Sequence, residues 1–187
     1  MDDSTTDADK ESYARTLREK RAEKNEFFAT HRQSPIPPEH RDTFDSLDYF
    51  DPDMEYRAEA DVTRFSEPET VELDTSDGRS VRYSRLFEFS FELRGQTQTL
   101  AGYRQQPEDA IFVPFRDKTT GQQTYTDGRY IELETEQDLT DGDSIEIDFN
   151  LAYSPFCAYS ETFACPLPPE ENWLDIIVPA GEKSPPL

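Results

Sequence analysis

The chain has 187 residues, 34% of them hydrophobic, and a formal net charge of -22 from 41 acidic and 19 basic side chains. Its length and apolar content support a single buried core, and the lack of any basic stripe excludes nucleic acid as a partner. No run approaches the ~18 apolar residues of a membrane span, and the polar, acidic N-terminus has neither half of a signal peptide, so a cytoplasmic protein without a membrane partner is expected.

Low hydropathy and high charge accompany disorder in many chains. Here the acids are interleaved with periodic Phe, Tyr, Leu, Ile and Val, which fits a folded core under an acidic skin. Only 5 of the 19 cations are lysine. Acid enrichment with scarce lysine keeps a protein soluble in multimolar salt, where the Debye length falls to about 3 Å and self-repulsion fades. The composition therefore reads as that of a halophile.

In chain order, residues 1–9 are expected to form a disordered acidic N-terminus, 10–182 a single domain and 183–187 a tail. From Asp9 as N-cap, an amphipathic helix runs to about Thr30 and places Tyr13, Leu17, Lys24, Phe27 and Phe28 on one side, to pack on a sheet. The prolines of Ser34–Pro38 end it. A short helical or turn segment through Phe44, Leu47, Tyr49 and Phe50 follows. From Met54 the period becomes two. About nine strands are expected, near 56–62, 71–73, 81–93, 97–104, 110–115, 123–125, 130–134, 144–149 and 175–178, with turns at Ser76–Arg79 and Arg94-Gly95. Short strands behind one helix predict a mainly β (α+β) chain, an antiparallel β-barrel or sandwich with one N-terminal amphipathic helix.

Two segments break the alternation. In the first, residues 112–130, Arg116 and Asp117 end a strand and a turn leads through Thr124 and Tyr125 to Arg129 and Tyr130. This is either a hairpin with local Arg–Asp pairing, or a site in which the planar forks of Arg116 and Arg129 hold an anion. The second is the run 148–172, rich in proline and aromatics. Asp148 and Asn150 flank Phe149, so both point to one side of a strand end, while Glu171 and Asn172 follow Pro168-Pro169. These groups either bond to the loop backbone or, with Tyr153 and Tyr159, face a polar cleft.

Cys157 and Cys165 also lie in this run. Their spacing is too long for a Cys-x-x-Cys site, and His31 and His40 are distant. Inert packing, a reactive thiol, a disulfide stabilising by roughly 2.5 kcal/mol and a zinc site with distant ligands remain open for them; no metal site is assigned. With no Walker or dinucleotide glycine pattern, no cofactor is assigned either.

Together, Phe115-Arg-Asp-x-Thr-Thr-Gly-x-x-Thr-Tyr-x-x-Gly-Arg-Tyr130, Asp148-Phe-Asn-x-Ala-Tyr153, Cys157-Ala-Tyr159, Cys165-Pro-Leu-Pro-Pro169, Glu171-Asn172 and Ala180-Gly-Glu182 resemble the family called domain of unknown function 1684, over roughly residues 10–183. The resemblance implies a whole single-domain member, similar to haloarchaeal and bacterial proteins, with the two unusual segments as its signature. The function class expected is a small-molecule-binding β domain with a cleft between the 116–130 hairpin and the 148–172 loop, for a small polar or anionic ligand. A hydrolase or thiol-dependent redox enzyme, acting through Cys157 or Asp148 in the same cleft, is the rival. A protein interaction module, built on the helix and the cysteine loop and compatible with a homo-oligomer, is a third reading.

Overall fold

The computed structural model describes residues 6–187; the first five residues of the expected acidic N-terminus lie outside it. Helix α1 spans Asp7–Thr30. It starts two residues before the expected cap, because the Thr6 side chain accepts from the Asp9 amide while the Asp9 carboxylate accepts from the Thr6 amide. This reciprocal pairing satisfies donors that the first turn leaves open. The expected packing of α1 on a sheet face is corrected. Phe28 is buried with Ile36, Leu47 and Tyr159 in a cluster separate from the sheet core, its ring edge-on to Tyr159 at 5.1 Å. Polar contacts complete the docking: Tyr13 donates to Asp148, Arg21 to the Phe50 carbonyl at 2.8 Å, and Lys24 to Glu182. The helix thus rests mainly on loops, and meets the sheet only at its edge, where Tyr13 reaches Asp148 at the end of one strand and Arg57 at the start of another. The next helical turn, α2, is Pro38–Arg41, earlier than the Phe44–Phe50 expectation, since proline is well placed in a first helical turn where its missing N–H is not needed.

Six strands follow: β1 Arg57–Asp74, β2 Ser80–Leu93, β3 Gln96–Arg104, β4 Ile111–Phe115, β5 Arg129–Leu133 and β6 Ser144–Asp148. All adjacent pairs are antiparallel, in the order β5-β4-β3-β2-β1-β6. The expected short strands near 56–62 and 71–73 merge into β1, while the single run expected over 81–93 is β2. Pro68 falls in a register shift between Arg64 and Glu69, and β6 covers β1 only from Arg57 to Asp61, so the proline sits on an uncovered edge where no ladder donor is required. Between β2 and β3, Arg94 and Gly95 both take positive φ (51° and 77°), the two-residue turn that matches strand twist. Two of the expected strands do not form. Around 123–125 the amides of Gln122, Gln123 and Thr124 all turn onto the Thr119 carbonyl, and 175–178 has no ladder partner of its own.

The inner face carries Ala58, Ala60 and Val62 from β1, and Phe87, Phe89, Phe91 and Leu93 from β2, all buried. Each fully buried Phe contributes roughly 2–3 kcal/mol of transfer free energy. The sheet curls into a half-barrel: the Phe115 ring on β4 meets Phe149, just past β6, edge-on at 5.5 Å. A bridge between Tyr130 and Tyr153 then joins edge strand β5 to the chain leaving β6. From Phe149 onward the chain has only short 3-10 turns, running along the ends of β4 and β5 and back to α1. Lys183 and Ser184, at the start of the expected tail, bond to the Asp48 and Gln123 carbonyls at 2.9 and 3.0 Å.

Candidate functional site

An irregular segment of some forty residues has no ladder to satisfy its backbone, so side chains must do so. Most of the expected site residues prove to be these side chains. Arg129 is fully buried: its Nη1 donates to the carbonyls of Ala180 and Glu182, and its Nη2 to that of Val178 at 3.0 Å. Nη2 also lies 3.5 Å from Asp117. Burial lowers the guanidinium pKa, with Asp117 and Glu182 opposing the shift. Asp117 is buried as well and accepts from the Val178 amide at 2.6 Å and from the Thr119 amide and hydroxyl. The expectation that Arg129 serves an anion is therefore corrected: its fork is occupied by three carbonyls that no strand reaches.

Asn172 is wholly buried and works as a strand mimic. Beyond the Tyr103–Phe112 pair β3 and β4 splay apart, and the Asn172 amide fills the gap. It accepts from the Ala101 amide at 2.7 Å and donates to the carbonyls of Ala101 and Pro114 at 3.0 and 2.8 Å. Asp148 accepts from the Asn150 amide at 3.0 Å and from Tyr13, and the Asn150 side chain bridges the Asp53 backbone at 2.8 and 3.0 Å. Among the described residues Asp148 lines no cleft, and Asn150 lines only a small recess of about 120 Å³ under α1, with Tyr153 and Glu182.

The remaining groups are similarly engaged. Thr124 contacts the Thr119 hydroxyl at 3.0 Å, and Tyr130 donates to the Pro166 carbonyl. Tyr153 donates to Glu132 at 2.8 Å, Tyr159 to Glu182 at 2.9 Å, and Glu171 receives Tyr103 and pairs with Arg85. Glu182, absent from the expected site, is the missed member of this set. Buried at 2% exposure, it gathers Lys24, Tyr159 and the Ser154 amide. Its only sequence signal was the Ala180-Gly-Glu182 motif.

A groove open to solvent lies where the two unusual segments meet. A cleft of about 330 Å³ is lined by Arg116 and Asp127 from the hairpin side, Leu167–Glu170 and Trp173 from the loop, and Glu72–Asp74 at the end of β1. A second recess adjoins it, sharing Arg116, Glu170 and Trp173. Trp173 is 50% exposed, its Nε1 donating to the Pro168 carbonyl at 2.9 Å and the Arg116 guanidinium lying 5.0 Å from its ring. The backbone fixes this arrangement: the Arg116 amide donates to the Asn172 carbonyl at 3.1 Å, and the Leu174 amide to the Arg116 carbonyl at 2.7 Å. Gly128 keeps hairpin and loop together, since a Cβ there would meet the Phe115 carbonyl at 2.7 Å and the Pro168 ring at 2.8 Å. Of the expected site residues only Arg116 lines this cleft. Trp173, Asp127 and Glu170 were missed, although a lone tryptophan just after Pro168-Pro169 was a signal for them.

Cys157 and Cys165 are free thiols brought together beside this wall. The Cys157 amide donates to Cys165 Sγ at 3.3 Å, and Tyr125 contacts both Cys157 Sγ, at 3.8 Å, and Asp127, at 3.1 Å.

No helix is long and apolar enough to cross a membrane among the described residues. No curated protein matches the chain. A solution NMR structure of an uncharacterized protein from Haloarcula marismortui is similar over 95% of this chain and 97% of its own, at 58% identity and a TM-score of 0.75. The family model described as "Protein of unknown function (DUF1684)" matches residues 42–183, three quarters of the chain, and the chain belongs to that family.

Proposed function

We propose that this chain is a small-molecule-binding protein of a halophile's cytoplasm, its ligand seated against Trp173 in the cleft between the 116–130 hairpin and the 148–172 loop. The observation that carries the reading is the half-exposed indole in a recess, flanked by groups that make few other contacts. Phe156 and Phe163 are exposed too, but their rings pack edge to face on each other at 5.4 Å, whereas the indole is the more exposed ring and stands in a recess. An exposed aromatic face with polar neighbours is a common ligand platform.

The charge of the lining narrows the ligand. Glu72, Asp74, Asp127 and Glu170 stand against Arg116 alone. A carboxylate-rimmed indole favours a small polar ligand with a positively charged head, which the ring face attracts, over the anion that two arginines first suggested. Arg116 already lies over that ring, as a ligand cation would.

Trp173 is the chain's single tryptophan, so its fluorescence reports on this cleft alone. Titration with tetramethylammonium or arginine, at constant multimolar KCl, is expected to give a saturable change that Glu170→Gln weakens. Acetate and phosphate are expected to give none. A response to no class, or an equal response to cations and anions, overturns the reading.

A further inference from the structure

We propose that Cys157 and Cys165 are an attacking and a resolving thiol that pass between a dithiol and an internal disulfide by exchange with a low-molecular-weight disulfide. This site does not depend on the cleft reading.

The geometry holds the two sulfurs within reach of one another. Cys165 is fixed on the β1–β2 turn: its amide donates to Ser76 Oγ at 3.2 Å and its carbonyl accepts from the Ser76 amide at 3.0 Å. Cys157 sits on the 3-10 turn Phe156–Ala158, and its amide donates to Cys165 Sγ at 3.3 Å. With an N–Cα bond of about 1.46 Å, Cys165 Sγ is at most ~4.8 Å from the Cys157 Cα. That bound is compatible with the Cα separation of a disulfide, usually about 4.4–6.8 Å. The linking residues Glu161–Ala164 are solvent-exposed, so small adjustments there meet little packing.

The two thiols are unequal, as attack and resolution require. Cys157 is half-buried and Cys165 buried. The Cys157 thiol is pushed down to about 7, first by hydrogen bonding with Cys165, with Tyr125 and Ser76 adding, against burial and the nearby Asp127 charge. Cys165 is pushed up by Cys157 and by burial. One thiol therefore ionises near neutrality while the other keeps its proton until the first has reacted, which is the order that exchange follows.

The chemistry balances. The Cys157 thiolate attacks one sulfur of RSSR, forming Cys157–S–S–R, and RS⁻ leaves and takes up the proton that Cys157 lost. Cys165 then gives up its proton and attacks the Cys157 sulfur. The internal disulfide forms, and the second RS⁻ leaves with that proton as RSH. Two electrons pass from the dithiol to RSSR, which becomes two RSH.

The test uses the full chain, reduced, in multimolar KCl, with bis(2-hydroxyethyl) disulfide as the uncharged probe and intact-mass and peptide mapping as readouts. The parent is expected to lose two hydrogens and yield a Cys157–Cys165 cross-link without a lasting adduct. Cys165→Ser should accumulate one hydroxyethylthio adduct on Cys157, and Cys157→Ser should react at least about tenfold more slowly. A parent that carries two independent adducts, or that stays unreacted while free cysteine exchanges fully, overturns the proposal; both results are read on the parent and need no variant to fold.

Discussion

Replacing Arg129 by alanine removes a guanidinium whose every assigned partner is protein: the carbonyls of Val178, Ala180 and Glu182, and the Asp117 carboxylate. Those three residues are 0–2% exposed, so water does not replace the lost donors without opening the segment. Breaking a buried charge pair costs about 3–5 kcal/mol, against a total stability on the order of 5–15 kcal/mol. With a urea slope near ~2 kcal/mol per molar, the unfolding midpoint of Arg129→Ala should fall by about 1.5–2.5 M. Far-UV circular dichroism in multimolar KCl measures it. Arg129→Lys should recover only part of the loss, because an ammonium lacks the fork that spans three carbonyls. A ligand-binding arginine behaves oppositely, since its removal relieves an unpaired charge. A midpoint within about 0.3 M of the parent would refute the structural assignment.

Gly181 and Gly78 both hold positive φ, but a Cβ at Gly181 would lie 2.6 Å from the Ala152 carbonyl, while at Gly78 nothing lies within 4 Å. Alanine at Gly78 should therefore cost only the left-handed backbone penalty of about 1–2 kcal/mol, and alanine at Gly181 clearly more by the same urea assay; equal losses contradict the clash. With a net charge of -22, the melting temperature should climb as KCl is raised from low to multimolar concentration, each kcal/mol recovered showing as roughly 2–4 °C, and a melting temperature indifferent to KCl counts against the halophilic reading. Iodoacetamide should alkylate Cys157 faster as pH rises through about 7, because Cys165, Tyr125 and Ser76 favour its thiolate more than burial and Asp127 oppose it. Rates that begin to rise only near the ordinary thiol range of ~8.5 would show that this bias is absent.

The β half of the fold was legible because its signals are local. Alternation at Phe87, Phe89 and Phe91 marks a buried face, and Arg94-Gly95 supplies both positive φ values of a two-residue turn. Strand number was overcounted where β1 runs on through Pro68, whose tolerance depends on how far β6 extends along β1. The docking of α1 was not legible either, since the loops it rests on are assembled only by the complete fold. The site was the least legible part. Arg129, Asp117, Asn150 and Asn172 have the side chains of a binding centre, but the same donors and acceptors fasten a segment that has no ladder. Sequence does not separate these uses, because the distinction lies in whether the partner is backbone or solvent. Trp173 shows the converse, a large aromatic ring that stands half in water.

The central claim is that the buried polar residues of the two signature segments are structural and that the ligand lies on the Trp173 side of them. Heteronuclear NMR of the labelled chain, titrated in multimolar KCl with the dialysable small-molecule pool of a halophile's cytosol, tests it most directly. Saturable shifts are expected to cluster on Arg116, Asp127, Glu170 and Trp173, with Arg129, Asp148 and Asn150 unmoved. Shifts centred on Arg129, Asp117 and Asn150, with the Trp173 indole unchanged, would contradict it.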